Sequence, residues 1–179
     1  MKIYLIRHGK TPANEQHLYC GSTDISLSAA GIQELRSLSY SVDTGRFVTS
    51  GMKRTNETLA ILFGDVAYRV EPAFREIDFG SFEMKSYEDL KANPEYQAWI
   101  SGDNEANIPP NGESGIQMTE RVMRAYHALS EDSVVLTHGG VIAAIMATLF
   151  PEDRKSRYQW QPRPGHGYVI EDDTYRPIP

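Results

Sequence analysis

Lys2-Ile3-Tyr4-Leu5-Ile6-Arg7-His8-Gly9 opens the chain with four apolar residues that stop at an arginine, a histidine and a glycine. An unbroken apolar run containing isoleucine and tyrosine predicts a buried strand that ends where the charge begins. The same pattern returns at Phe47-Val48-Thr49-Ser50, over residues 66–70, and at Ser133-Val134-Val135-Leu136-Thr137, which leads into His138-Gly139-Gly140. A last strand is expected over residues 166–171. Helical patterns fill the intervals. Ser28 precedes Ile32, Leu35 and Leu38 on one face, and residues 54–63 run to Gly64, a plausible helix stop. Ser114 and Gln117 have the spacing of a capping box, and residues 141–150 read as a buried helix. Strands alternating with helices predict an α/β fold in three layers, a mostly parallel sheet with helices on both faces. Residues 1–179 contain no evident linker and read as a single domain.

Residues 81–112 are the least regular part. They mix Phe82, Tyr87, Tyr96 and Trp99 with acids and close on the turn Pro109-Pro110-Asn111-Gly112. Packing is the first reading of these aromatics, ahead of substrate contact.

A chain of 179 residues can bury a real core without staples. Its formal net charge of -6 argues against a general binder of nucleic acid or membrane surfaces, which needs a basic face. The single cysteine, Cys20, excludes an intrachain disulfide and a cysteine cluster for zinc. The apolar stretch at residues 134–150 is interrupted by His138-Gly139-Gly140 and falls short of the about 20 residues that span a bilayer. A cytoplasmic protein with no membrane partner is the expectation.

In open α/β sheets, ligands bind beyond the carboxyl ends of the strands. Arg7-His8-Gly9, Arg54 and His138-Gly139-Gly140 follow three such ends, so two arginines and two histidines should meet at one edge of the sheet. That set suits a phosphate monoester. Arginine offers planar, permanently charged donors, and a helix opening at His138-Gly139-Gly140 favours an anion at its N-terminus. An acidic chain can therefore hold a dianion by concentrating its cations locally. His8 would act as a nucleophile if its neighbours keep it neutral, and Glu76 or Glu83 could protonate the leaving alkoxide. Blander readings exist for each residue. Two histidines and a glutamate could ligate a metal, although two adjacent arginines would repel it, and Arg54 alone on a helix is more often a surface charge. His17, His127 and His166 sit in no motif and read as surface or core residues.

Leu5-Ile6-Arg7-His8-Gly9-Lys10-Thr11 with Asn14 resembles the opening signature of the histidine phosphatase superfamily, in its phosphoglycerate mutase-like branch. Thr49-Ser50-Gly51-Met52-Lys53-Arg54-Thr55, Phe74-Arg75-Glu76-Ile77-Asp78-Phe79-Gly80 and Thr137-His138-Gly139-Gly140 resemble its later blocks, in the family's order. The resemblance implies that His8 is phosphorylated in turnover, that Arg7, Arg54 and His138 complete the phosphate pocket, and that Glu76 is the proton donor. It further implies that Thr11, Asn14, Cys20, Gly21, Glu83 and Gly139 contact substrate, and that residues 81–112 form a variable cap. No metal or organic cofactor is expected; the partner is a small-molecule phosphate monoester, and a homodimer is allowed.

The sequence departs from the family pattern at Lys10, where an acid is common, at Thr55, where alanine is frequent, at Met84, where many relatives have glycine, and at Cys20, where the mutases usually have threonine. Residues 79–84, Trp99 and residues 108–113 look similar to alpha-ribazole phosphatases of cobalamin synthesis. The expected activity is hydrolysis of a small phosphorylated metabolite, with alpha-ribazole 5'-phosphate as candidate. A phosphoglycerate mutase and a broad-specificity sugar phosphatase are the alternatives; a non-catalytic binding module would be expected to lack one of His8, Arg7, Arg54, Glu76 and His138, and all five are present.

Overall fold

The computed structural model describes residues 1–103 and 105–179, so the irregular segment 81–112 is described except at Asn104. In chain order the strands are β1 (Lys2–Arg7), β2 (Phe47–Thr49), β3 (Tyr68–Val70), β4 (Ser133–Thr137), β5 (Gly167–Glu171) and β6 (Thr174–Ile178). The α-helices are α1 (Pro12–Glu15), α2 (Ala29–Arg36), α3 (Lys53–Phe63), α4 (Tyr87–Leu90), α5 (Pro94–Ile100), α6 (Gly115–His127), α7 (Gly139–Leu149) and α8 (Arg157–Trp160). The six strands form one sheet in the order β3-β2-β4-β1-β5-β6. β1 to β4 pair parallel, whereas β5 and β6 pair antiparallel.

Alternation along the strands divides the core in two, because successive side chains point to opposite faces. Ile3, Leu5 and Val135 pack with Met118 and Val122 of α6 and Val141, Ile142 and Ile145 of α7. Tyr4, Ile6, Val134 and Leu136 pack on the other face with Leu59 of α3. Helices thus cover both faces of a mostly parallel sheet, as expected. Between residues 81 and 112 a third cluster forms, with Phe82, Leu90 and Tyr96 buried and Tyr19, Phe79 and Trp99 packed against them. The aromatics of that segment pack on one another and on Tyr19.

The helix signals read from sequence coincide with physical caps. Ser28 Oγ accepts from Gly31 N at 3.0 Å, Ser114 and Gln117 cap each other reciprocally, and Gly64 ends α3 with φ +80°. Several boundaries shift by one or two residues, and one strand is new. The third strand occupies only Tyr68–Val70, at an exposed sheet edge. β6 was not anticipated: Pro177 cannot donate to a ladder and weakens the strand pattern, yet β6 is an edge strand. A two-residue turn at Asp172-Asp173, with Asp172 at φ 52°, folds it back on β5. No helix among the described residues is long and apolar enough to cross a membrane.

Leu136 is fully buried, so Leu136→Ala should cost about 2–5 kcal/mol through lost transfer energy and a residual cavity. Tyr158, 79% exposed, should change stability by less than about 0.5 kcal/mol when replaced by alanine. Urea titrations of both variants check this; a shifted midpoint with an unchanged slope for Leu136→Ala is the expected result.

Candidate active site

Register brings the site together. Arg7 lies opposite Thr137 across the parallel β1/β4 pair, and His8 N donates to Thr137 O at 2.9 Å. His8 and His138 therefore leave adjacent strand ends side by side, their ring centroids 5.2 Å apart. On the other flank of β4, Thr49 lies opposite Leu136, which brings Ser50 to His138: Ser50 Oγ and His138 Nε2 are 2.8 Å apart. Arg54, on the first turn of α3, is only 1% exposed.

The His8 ring is oriented by its own backbone. Nδ1 lies 2.6 Å from Gly9 O, and a carbonyl can only accept, so Nδ1 carries the proton. Nε2 is left as the lone-pair nitrogen, with no hydrogen-bond partner among the described residues. Burial depresses the pKa of His8 well below the usual histidine value, and Arg54 and Arg7 depress it further, against a weaker opposing effect of the Gly9 bond. His138 is depressed by burial first, then by Arg54, His8 and Arg7. Both rings are neutral near pH 7.

Arg7 donates through Nη1 to Pro162 O at 2.8 Å, while among the described residues its buried Nε has no partner, and neither has His138 Nδ1. Buried polar groups without partners are uncommon, and two of them sit at the point where an anion would be held. Gly139, the first residue of α7, lies tight against this spot, because a Cβ there would meet Gln161 Cγ and Arg7 Nε.

Two carboxylates approach from residues 76–83, with different partners. Glu76 accepts from Gly140 N at 2.9 Å and from Ile77 N at 3.0 Å. One of the α7 amides expected for the anion is thus occupied by Glu76. Its segment is anchored by Thr137 Oγ1 donating to Phe74 O at 2.7 Å. Arg121 of α6 anchors it again, donating to Ala73 O, Arg75 O and Glu76 O at 2.8, 2.7 and 3.0 Å and pairing with Glu113. Glu83 instead receives Gly21 N, Ser22 N, Thr23 N, Phe79 N and the Thr23 hydroxyl. Every group aimed at it is a donor. Its oxygens face the loop of residues 21–23.

The remaining expected contacts are dispersed in role. Thr11 and Asn14 cap α1 reciprocally, with Thr11 N donating to Asn14 Oδ1 at 2.9 Å and Asn14 N to Thr11 Oγ1 at 3.2 Å. Cys20 is half-buried, and burial raises its thiol pKa above the usual value. Gly21 accepts Arg54 Nη2 on its carbonyl at 2.7 Å. His17 and His127 are exposed, and His166 contributes its carbonyl to Arg7 N. No set of three or more His, Cys, Asp or Glu side chains among the described residues is placed to hold a metal ion. Sequence reasoning assigned no role to Ser50, Arg121 or Pro162. Ser50 was visible beside the Arg54 block, but Arg121 and Pro162 act over 45 and 155 residues with no local signal.

Comparison with known proteins places the chain among phosphatases and mutases. Residues 3–177 match the family described as the histidine phosphatase superfamily, branch 1. The adenosylcobalamin/alpha-ribazole phosphatase of Escherichia coli strain K12 is 33% identical over 161 residues, covering 83% of this chain and 79% of that protein. A probable phosphoglycerate mutase, GpmB, of Proteus mirabilis is 27% identical, covering 96% and 91%. The crystal structure of the alpha-ribazole phosphatase from Shigella flexneri superposes with a TM-score of 0.87 at 28% identity, over 99% of this chain and 96% of that one. That of a phosphoglycerate mutase from Thermus thermophilus gives 0.77 at 29% identity, over 96% and 94%.

The depressed histidines predict a pH dependence of stability. Between the ordinary histidine pKa, about 6.5, and the lower folded values, the unfolded chain binds protons that the folded chain refuses. Stability present above pH 6.5 is therefore lost as pH falls below it, by up to about 1.4 kcal/mol per pH unit for each such histidine. Denaturant titrations from pH 8 to pH 5 should show this decline, and His8→Gln should reduce its slope.

Proposed function

The chain belongs to the histidine phosphatase superfamily, branch 1, and we propose that it hydrolyses a small phosphate monoester through a phosphohistidine at His8. The observation that carries this reading is the 2.6 Å approach of His8 Nδ1 to Gly9 O. Gly9 O holds the proton on Nδ1, so the lone pair of Nε2 is available between Arg7, Arg54 and His138. A nucleophilic histidine must be neutral with one nitrogen free, and burial between two arginines supplies the first condition.

In the first step Nε2 attacks phosphorus, the ester P–O bond breaks, and the leaving alkoxide takes a proton from Glu76. In the second, Glu76 accepts a proton from water, water oxygen attacks phosphorus, the P–N bond breaks, and inorganic phosphate leaves. Arg7 and Arg54 neutralise charge on the equatorial oxygens, which is where such transfers gain most. His138 Nδ1 and Arg7 Nε, buried and unpartnered, complete the donor set. Residues 81–112 act as the cap, supported by the packing of Tyr19, next to Cys20, into their aromatic cluster.

Alpha-ribazole 5'-phosphate is the substrate we favour, supported by the names of relatives at 33% identity and at a TM-score of 0.87. The mutase reading draws on the relatives named as mutases. A panel of phosphomonoesters separates them. The expected result is release of inorganic phosphate from alpha-ribazole 5'-phosphate, no activity in His8→Ala, and acid-labile label on His8. Isomerisation of 3-phosphoglycerate dependent on a bisphosphate primer, with little phosphate release, would select the mutase.

Glu76→Gln should lower kcat/KM on alkyl phosphates by about 10²–10⁴-fold. It should spare p-nitrophenyl phosphate, whose phenolate leaves without a proton. Equal losses on both would assign Glu76 to phosphate positioning instead.

A further inference from the structure

Arg54 is almost fully buried, yet it appears in no ion pair among the described residues. A buried charge without compensation is costly, and the two groups that meet its guanidinium are neutral carbonyls. Nη2 donates to Gly21 O at 2.7 Å and Nη1 to Thr23 O at 2.8 Å. Glu83 presents the complementary oddity. It is a partly buried carboxylate that also forms no ion pair among the described residues, and its oxygens are surrounded by donors of the same loop.

The two charges share one peptide unit. The carbonyl of the Gly21–Ser22 peptide receives Arg54, and its N–H, that of Ser22, donates to Glu83 Oε1 at 2.9 Å. In a trans peptide these groups point in opposite directions. The order in space is therefore guanidinium, carbonyl oxygen, amide hydrogen, carboxylate. Each charge polarises that unit in the same sense, which strengthens both hydrogen bonds. Gly21 N and the Thr23 hydroxyl, at 3.0 and 2.7 Å, fix the carboxylate to the loop, and Phe79 N, four residues earlier on its own segment, donates to it at 3.1 Å. Gly21 admits no side chain at this crossing, because a Cβ would run into Ile77 O and Glu83 Oε1.

We propose that Glu83 is the counter-ion of Arg54 at one peptide's remove, a positioning residue that holds the guanidinium in place for the phosphoryl group. This deepens the reading of the site as a phosphate pocket. It also accounts for a glutamate close to the site that gives no proton to a leaving group. Loss of Glu83 should loosen the loop of residues 21–23, release the two carbonyls from Arg54, and weaken every phosphate ligand alike, whatever its leaving group.

A double-mutant cycle of Glu83→Gln and Arg54→Lys tests it, read on kcat/KM for p-nitrophenyl phosphate and an alkyl phosphate and on the Kd of inorganic phosphate by calorimetry. Glu83→Gln alone should lower kcat/KM on both esters equally and weaken phosphate binding, by about tenfold or more. In the Arg54→Lys background it should change each by less than about twofold. Equal fold-losses in the two backgrounds, a loss confined to the alkyl ester, or no phosphate binding by the wild type would overturn the proposal. Circular dichroism and a urea midpoint report whether each variant is folded. Should Glu83→Gln fail to fold, Thr23→Val, which removes one donor to Glu83, replaces it in the same cycle with a smaller loss and the same coupling expected. A wild type that hydrolyses no ester but whose phosphate affinity follows the cycle would sink the hydrolase reading alone.

Discussion

The parallel pairing of β1 with β4, in the register that sets Arg7 opposite Thr137, is the constraint from which the site follows. A slip of one residue would turn Ile3 and Leu5 from the α6/α7 face to the α3 face, so two buried cores oppose it. Because the register is held along five residue pairs, His8 and His138 emerge together although 130 positions separate them. The β2/β4 pairing extends the alignment to Ser50, and Arg54 follows four residues later on α3. The convergence of these side chains is a consequence of sheet geometry.

Electrostatics in this acidic chain are resolved locally. Burial first, and the neighbouring arginines next, lower the pKa of both histidines well below the usual value. Glu76 lies close enough to Arg7 to oppose the effect of burial on that guanidinium. It is steadied by Gly140 N and by Arg121 bonding the backbone on either side. Among the described residues Arg54 forms no ion pair. The Gly21–Ser22 peptide lies between it and Glu83 and is hydrogen-bonded to both.

The loop of residues 21–23 joins two parts of the molecule with different tasks. On one side it supplies carbonyls to Arg54; on the other, Tyr19 exchanges backbone hydrogen bonds with residues 84 and 85 and packs against Phe79 and Trp99. Residues 81–112 are built mainly from short helices and turns, and their hydrophobic contacts are largely with one another.

Much of this was legible along the chain. Apolar runs ending in Arg7-His8-Gly9 and Thr137-His138-Gly139 specified strands and the face where their ends converge, since period and burial are local properties of sequence. Ser28, Gly64 and Ser114 marked helix ends because caps act within three or four residues. β6 stayed hidden because Pro177 breaks the local strand signal, and only an unclaimed sheet edge decides that it pairs. Residue chemistry alone offered Glu76 and Glu83, seven residues apart, as proton donors, and only the family resemblance favoured Glu76. Tertiary structure separated them, by placing one on the amide of Gly140 and aiming the loop of residues 21–23 at the other. Arg121 and Pro162 were likewise decided only in three dimensions. Arg121 reaches three backbone carbonyls besides Glu113, and Pro162 offers its own carbonyl to Arg7; every residue carries a carbonyl, so no side-chain pattern in the sequence announces these contacts.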